Sequence, residues 1–511
     1  MDDRRRGFVA LLVSAVMGMI AFVLVLTITD PPGPGLDPDA LQYLGAASSM
    51  AAAGEYTVPL APWKSADSTE PLTHFPPGYP TALALPVRMG MEPAQAARLV
   101  DASAAFISTA TVVLLVSTAA SPVVGALLAL SLFAMTAMYT AHASVLSEPL
   151  FLACLSLTLA AMVITPDRPV RAGIPAALAL MTRYAGLSIV GAIGIWALMR
   201  PGRWTERFKR ATIAVAPALV LQIVWVLRTR AVAVVSDIRK IALYGKWSKT
   251  LQQGGTTFAA WLIPDAAADH DPLAHRAMLA VAAALALAGL CAIGAWHLSR
   301  AESGRERNAG RASRLIKACA LLLACYAALL GASRLFADPG IPFDERIFAP
   351  ALLLLMIIAA TTLSFWWRGT RLRNARRVVA AALLAWWCAA LAATHVNAHF
   401  AMTWGSDFAG QQWRESEVLA WGRNQGYGAP IYSNWPAAIF FYLRRPSHEL
   451  PKLTEHASLK AFGDTVRAHG GHVLLFTARS EDYVANALLI KTSGLDVIEE
   501  LDDGWILGVD H

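Results

Sequence analysis

Two carboxylates separated by one residue, Asp37 and Asp39 in Asp37-Pro38-Asp39, follow the first long apolar run, with Tyr43 one helical turn beyond Asp39. A carboxylate just outside a bilayer can cap a helix. It can also act as a general base on an acceptor hydroxyl while cations hold a lipid-borne leaving group. Glu148, in Leu146-Ser147-Glu148-Pro149-Leu150-Phe151, opens a later apolar run. An acid before a proline in a first helical turn is a sound cap, whereas one deeper in a span faces a cavity or a partner. The cations are Arg183, beside Tyr184 at a break in an apolar block, together with Arg228, Lys246, Arg334 and Arg346. A lone interfacial arginine snorkels; several converging would make a phosphate site, because a guanidinium grips phosphate with two parallel bonds. His74 and His142 each read as structural, since no histidine pair has zinc spacing. The five cysteines all fall in apolar runs, so neither a disulfide framework nor a cysteine-based metal motif is expected.

The elements that must position these residues follow from composition. The chain of 511 residues is 56% hydrophobic and only 15% charged, with a mean hydropathy of +0.47. A soluble chain carries about 25% charged residues. A soluble enzyme, a disordered protein and a nucleic-acid binder are therefore excluded. Apolar runs of about 20 residues, the length that crosses a bilayer, occur at Phe8–Ile28, Ala96–Thr118, Val123–Ala141, Val145–Ile164 and Ala211–Leu227. Others are Ala277–Trp296, Leu315–Phe336, Ile347–Trp367 and Val378–Thr394. The first has no cleavage site after it and reads as an uncleaved helix. Ala172–Met199, interrupted at Thr182–Gly186, reads as a hairpin of two short helices, giving about eleven crossings.

The loops alternate in charge. Arginines crowd one set (4–6, 168–171, 200–210, 300–314 and 368–377), and acids the other, so the positive-inside rule places the amino terminus in the cytoplasm. The acidic loops and the carboxyl terminus then lie outside. The first outside loop, 29–80, should carry a surface helix over Asp39–Ala53 and then a rigid, largely non-helical turn, His74-Phe75-Pro76-Pro77-Gly78-Tyr79-Pro80. From about Trp404 the composition becomes that of a small α/β domain, with helices at Gln411–Asn424, Leu459–His469 and Glu481–Leu489. Strands are expected at Ala429–Ser433, His472–Thr477, Asp496–Leu501 and Gly504–Val509. No Walker motif or internal repeat is present, which argues against an ATP-driven transporter.

In this order and on these sides, the segments resemble the bacterial GT-C membrane glycosyltransferases, in the style of protein O-mannosyltransferase, aminoarabinose transferase and Rgt-type enzymes. The segments that carry the likeness are the acid after the first span, Pro76-Pro77-Gly78-Tyr79-Pro80, Leu-Ser-Glu-Pro-Leu-Phe, Met181-Thr182-Arg183-Tyr184 and Asp344–Pro350. The resemblance implies a polytopic α-helical protein with a GT-C-like membrane domain over 1–400, including the 29–80 loop, and an extracytoplasmic α/β domain over 401–511. It also implies location in the inner (plasma) membrane and an inverting transferase that uses a polyprenyl-phosphate sugar, with a lipid, glycan or protein as acceptor. On that reading Asp39 is the general base, Asp37 the fallback and Glu148 a further catalytic acid. The substrate-binding candidates are Tyr43, His74, Tyr79, Arg183, Tyr184, Lys246, Arg334 and Arg346. No cofactor is required; a divalent cation is compatible but nothing points to one, and membrane lipids are partners whereas nucleic acid is not. Asp-Pro-Asp departs from the longer acidic clusters of the relatives, which leaves the choice between Asp37 and Asp39 open. The competing expectations are a lipid-linked sugar flippase, which should show broken helices in both halves, and a non-catalytic member that binds glycan.

Overall fold

A computed structural model describes residues 3–232, 248–264, 307–336, 341–370, 372–425, 428–451 and 456–508. The chain forms two compact units: Met1–Ile28 with Arg98–Phe400, and Thr29–Ala97 with Ala401–His511.

The first unit is helical. In hydrocarbon a backbone can satisfy its polar groups only within itself, so long apolar sequences become helices. Among the described residues, six helices are long and apolar enough to cross a membrane: Arg4–Ile28, Pro93–Ala119, Trp204–Val232, Gly310–Phe336, Glu345–Gly369 and Arg373–Trp404. Pro122–Phe133 and Thr136–Ala143, bent by 68° at their junction, make a seventh if counted as one span. Glu148–Ile164 and Gly186–Leu198 are shorter apolar helices. The chain is a multi-pass membrane protein, but the described residues do not reach eleven crossings, and the expected span at 277–296 lies outside them.

Burial identifies the middle of this unit. Two thirds of the apolar window of Glu345–Gly369 (67%) is enclosed, against 17% for Trp204–Val232 and Arg373–Trp404, so the helix that begins at Glu345-Arg346 is the central one. The 68° bend leaves Ala134 O without its helical donor, and Thr394 Oγ1 supplies one at 2.8 Å. The interrupted block is a hairpin, Pro169–Thr182 and Gly186–Leu198, reversing at Arg183–Ala185. A Cβ on Gly186 would lie 2.4 Å from Leu180 N, so the reversal needs glycine. At the open end Asp167 and Arg200 join at 2.9 Å.

The second unit is α/β, with strands β1 (Thr57–Val58), β2 (Leu60–Pro62), β3 (Glu70–Pro71), β4 (Ile431–Ser433), β5 (Ser447–Glu449), β6 (His472–Phe476), β7 (Asp496–Leu501) and β8 (Gly504–Gly508). Six of them form one sheet in the order β2-β5-β4-β6-β8-β7, while β1 and β3 pair separately. Strands β2, β5, β4 and β6 run parallel, and β8 runs antiparallel to both of its neighbours, β6 and β7. Val473 to Phe476 are buried without a break, the signature of a strand covered on both faces.

β2 changes the domain division. It comes from the first loop yet is a strand of the carboxyl-terminal sheet, Leu60 opposite Ser447, so 29–97 groups with 401–511 rather than with the membrane helices. The reason is pairing: β5 needs a neighbour on its outer edge, and three loop residues supply it. The helix expected over Asp39–Ala53 forms as Pro38–Ala53, closed by Gly54 at φ 77°. It buries Leu41, Tyr43 and Leu44. The Pro-Pro-Gly-Tyr-Pro segment is not a non-helical turn throughout, because a helix starts inside it and runs Gly78–Arg88. Pro80 is tolerated there since first-turn N–H groups have no helical acceptor to lose.

Candidate active site

In the membrane unit the structure assembles a buried acid between two arginines. Glu148 opens the helix Glu148–Ile164 and is 2% exposed. Arg183 Nη1 lies 2.5 Å from its Oε2, and Arg346 Nε lies 3.4 Å from its Oε1. Arg183 Nη1 also donates to Ser147 Oγ at 3.2 Å. The carboxylate contacts are ionic by distance; neither oxygen accepts an aligned hydrogen bond among the described residues.

Each partner has a distinct local cause. Arg183 caps the first arm of the hairpin with extended backbone (φ −147°, ψ 140°), which takes its side chain out of the helical row. Arg346 sits in the first turn of the central helix, where Asp344 Oδ1 accepts the Ile347 N–H at 2.9 Å and Tyr326 donates to Ile347 O at 2.6 Å. Two guanidiniums against one carboxylate leave one net positive charge. A guanidinium carries five N–H donors in a planar fork, the geometry that grips an oxyanion with two parallel bonds.

In the second unit Asp37 takes the capping role, its Oδ1 accepting from Asp39 N at 3.1 Å, and Asp39 stands in the first turn of Pro38–Ala53. Tyr43, one turn on, meets Phe75 at 4.8 Å and Tyr79 edge-on at 5.1 Å, and His74 meets Phe75 at 4.7 Å. The first-loop candidates Tyr43, His74 and Tyr79 are thus joined through one aromatic cluster, in which Phe75 is the member that sequence reasoning missed.

Other candidates are placed elsewhere. Tyr184 accepts a bond from Trp225 Nε1 at 3.3 Å, and Arg228 stacks over Trp225 at 4.8 Å. Arg334 is buried, with Nε donating to Thr250 Oγ1 at 2.9 Å. Lys246 lies outside the described residues. His142 is bonded through Nδ1 to its own helix, at Met138 O, 2.8 Å away. Among the described residues no group of three His, Cys, Asp or Glu side chains is placed to hold a metal ion. Ser147 and Tyr326 were also missed. Ser147 stands in the quoted Leu-Ser-Glu-Pro, but Tyr326 is a single hydroxyl in an alanine- and leucine-rich helix and carries no local signal.

No protein-family model matches the sequence, and no curated protein matches it. Among solved structures the chain is similar to the apo form of ArnT from Cupriavidus metallidurans, with 14% identity, a TM-score of 0.50 and coverage of 96% of this chain and 97% of that one. It is also similar to the arabinofuranosyltransferase AftD from Mycobacteria, with 15% identity and a TM-score of 0.52, covering 98% of this chain and 41% of that one. These likenesses show the fold: a helical, multi-pass membrane protein with a small strand-containing carboxyl-terminal part, the architecture expected from the sequence.

Proposed function

We propose that the chain is a glycosyltransferase of GT-C type, moving a sugar from a polyprenyl-phosphate donor to an extracytoplasmic lipid, glycan or protein with inversion. The observation that carries this reading is the buried Glu148 flanked by Arg183 and Arg346. A lone carboxylate in that position would be costly, and a lone arginine would snorkel; the trio instead presents fixed cations at the opening of an apolar helix. That arrangement suits an anionic phosphate whose hydrocarbon tail stays in the bilayer. In the proposal Arg183 and Arg346 bind the carrier phosphate, and the charge that grows on it as the sugar departs strengthens those bonds. Glu148 positions the two guanidiniums. Asp39, in the first turn of Pro38–Ala53, removes the acceptor proton, with Asp37, whose Oδ1 caps that helix, as the alternative base. The shared fold with ArnT and with an arabinofuranosyltransferase supports the class of reaction. The charge pattern supports an amino terminus in the cytoplasm and an extracytoplasmic second unit in the inner membrane.

The test is transfer from a synthetic polyprenyl-phosphate sugar by the purified protein in detergent. Asp39→Asn should lower the rate by about 10²–10⁴-fold with unchanged melting. Arg346→Ala should raise the donor KM. Full activity in Asp39→Asn and in Asp37→Asn would remove the first-loop base, and an unchanged KM in Arg346→Ala would remove the phosphate role.

A further inference from the structure

The reaction proposed above does not use the opposite, open end of the hairpin. There a narrow cleft lies between Glu148–Ile164, the hairpin and Trp204–Val232, with Met162 and Ile193 in its apolar wall and Arg168, Arg200 and Arg210 among its lining residues. Its enclosed volume is about 20 Å³, room for one water-sized atom. Trp196 also lines it, and its buried indole N–H has no acceptor among the described residues. A buried donor of this kind costs free energy until an acceptor arrives.

Charge around the cleft favours an anion. The two loops that meet there, 165–171 and 200–210, hold seven Lys and Arg against Asp167 and Glu206. Both acids are engaged: Asp167 with Arg200 at 2.9 Å, and Glu206 with Arg210 at 3.8 Å. Arg210 also donates to Pro201 O at 2.9 Å, and Arg168 is exposed. Trp204 and Phe208, one turn apart and both well exposed, begin the adjoining helix, the placement of aromatics at a headgroup layer.

We infer that this cleft is a binding site for the phosphate headgroup of an anionic phospholipid, independent of the sugar donor. One phosphate oxygen enters the cleft floor as acceptor for Trp196, the arginines contact the others at the rim, and an acyl chain follows the apolar wall. Basic pockets between membrane helices recognise anionic headgroups through this combination of charge and apolar surface. A neutral-headgroup lipid lacks the net charge, and free phosphate cannot use the apolar wall.

Native mass spectrometry of the full-length protein, loaded with phosphatidylglycerol or with phosphatidylcholine of the same chains, tests this. Phosphatidylglycerol should be retained preferentially, and Arg168→Gln should reduce that preference by about fivefold, the factor one basic residue near an anionic surface contributes. Trp196→Phe, which removes the N–H and keeps an aromatic ring, should lower retention of phosphatidylglycerol without touching the Asp167–Arg200 pair of the hairpin. Excess inorganic phosphate should compete weakly. Equal retention of the two lipids, or a preference unchanged in both variants, would overturn the inference. So would complete displacement by inorganic phosphate, which would make the cleft a free-anion site. Because these variants lie outside the proposed catalytic groups, transfer activity in neutral-lipid micelles serves as the independent control.

Discussion

At the scale of single residues, the decisive arrangement is a buried carboxylate between two arginines. Glu148 is buried, while Arg183 and Arg346 are each one-fifth exposed, so the acid cannot be replaced by water on its own side. Glu148→Gln removes the countercharge and leaves two guanidiniums facing an uncharged amide. Breaking a buried pair from one side costs about 3 kcal/mol or more, so a lowered melting temperature is expected, with partial recovery in Glu148→Asp. A melting temperature equal to that of the parent would show that the arginines do not need the acid. His448 makes a second residue-scale case, away from the membrane helices. Its ring stacks on Tyr432 at 4.9 Å, and Nδ1 meets Pro62 O at 3.2 Å. Burial, opposed by that backbone bond and aided by His469, holds its pKa below the ordinary 6.5. The unfolded chain therefore binds the proton more readily than the folded one. The stability that the neutral ring contributes is complete above about pH 6.5 and is lost as pH falls through the lower folded value. Melting measured between pH 7.5 and pH 5 should show a steeper acid loss in the parent than in His448→Gln. Identical slopes would assign the acid loss to other groups.

At the scale of elements, close approach decides what the chain tolerates. A Cβ on Gly45 would sit 2.2 Å from Pro59 Cδ, and a proline ring cannot swing aside. Gly45→Ala should therefore destabilise by about 1–3 kcal/mol through overpacking, despite alanine's better helix propensity. Circular-dichroism melting would read the sign directly, and a stabilised variant would mean that the helix can shift off the loop. The same scale explains what was readable beforehand. Long runs of Leu, Ala and Val announced the helices, and Thr182–Gly186 announced the hairpin reversal, because both signals are local. Glu148 stood out as an acid opening an apolar run, and Arg183 as a cation inside one. That they pair with each other and with Arg346 could not be read, since the choice of partner depends on which helices pack together. The bend at Ala134 was hidden for a similar reason, because the threonine that supports it lies 260 residues later. In Pro-Pro-Gly-Tyr-Pro the prolines read as a turn, but a proline in a first helical turn carries no penalty, and the segment starts a helix instead.

At the scale of the whole molecule, the second unit is built from two stretches more than 300 residues apart in sequence, and its stability should depend on both. β2 gives β5 its outer neighbour, with Leu60, Ala61 and Pro62 opposite Ser447, His448 and Glu449. Trp63 follows at once and joins the core edge-on against Phe462, 5.8 Å away, beside Tyr432 and Val473. A three-residue strand bounded by prolines has no propensity of its own to advertise, so the carboxyl-terminal segment looked self-sufficient in sequence. Physically it is not. Residues 401–511 alone would leave β5 as a bare edge and remove a large aromatic from the core, a loss of about 3–5 kcal/mol by comparison with truncating a buried Trp. Small domains have only about 5–15 kcal/mol to lose. The 401–511 fragment is therefore expected to unfold at a markedly lower temperature, or without a cooperative transition, and to aggregate through β5. Joining 29–97 to it through a flexible linker should restore a cooperative melt and slow hydrogen exchange at Ser447, whose N–H donates to Pro59 O. If the fragment alone melts as sharply and as high as the joined form, β2 and Trp63 contribute nothing, and the first loop is only resting against a domain that already stands without it.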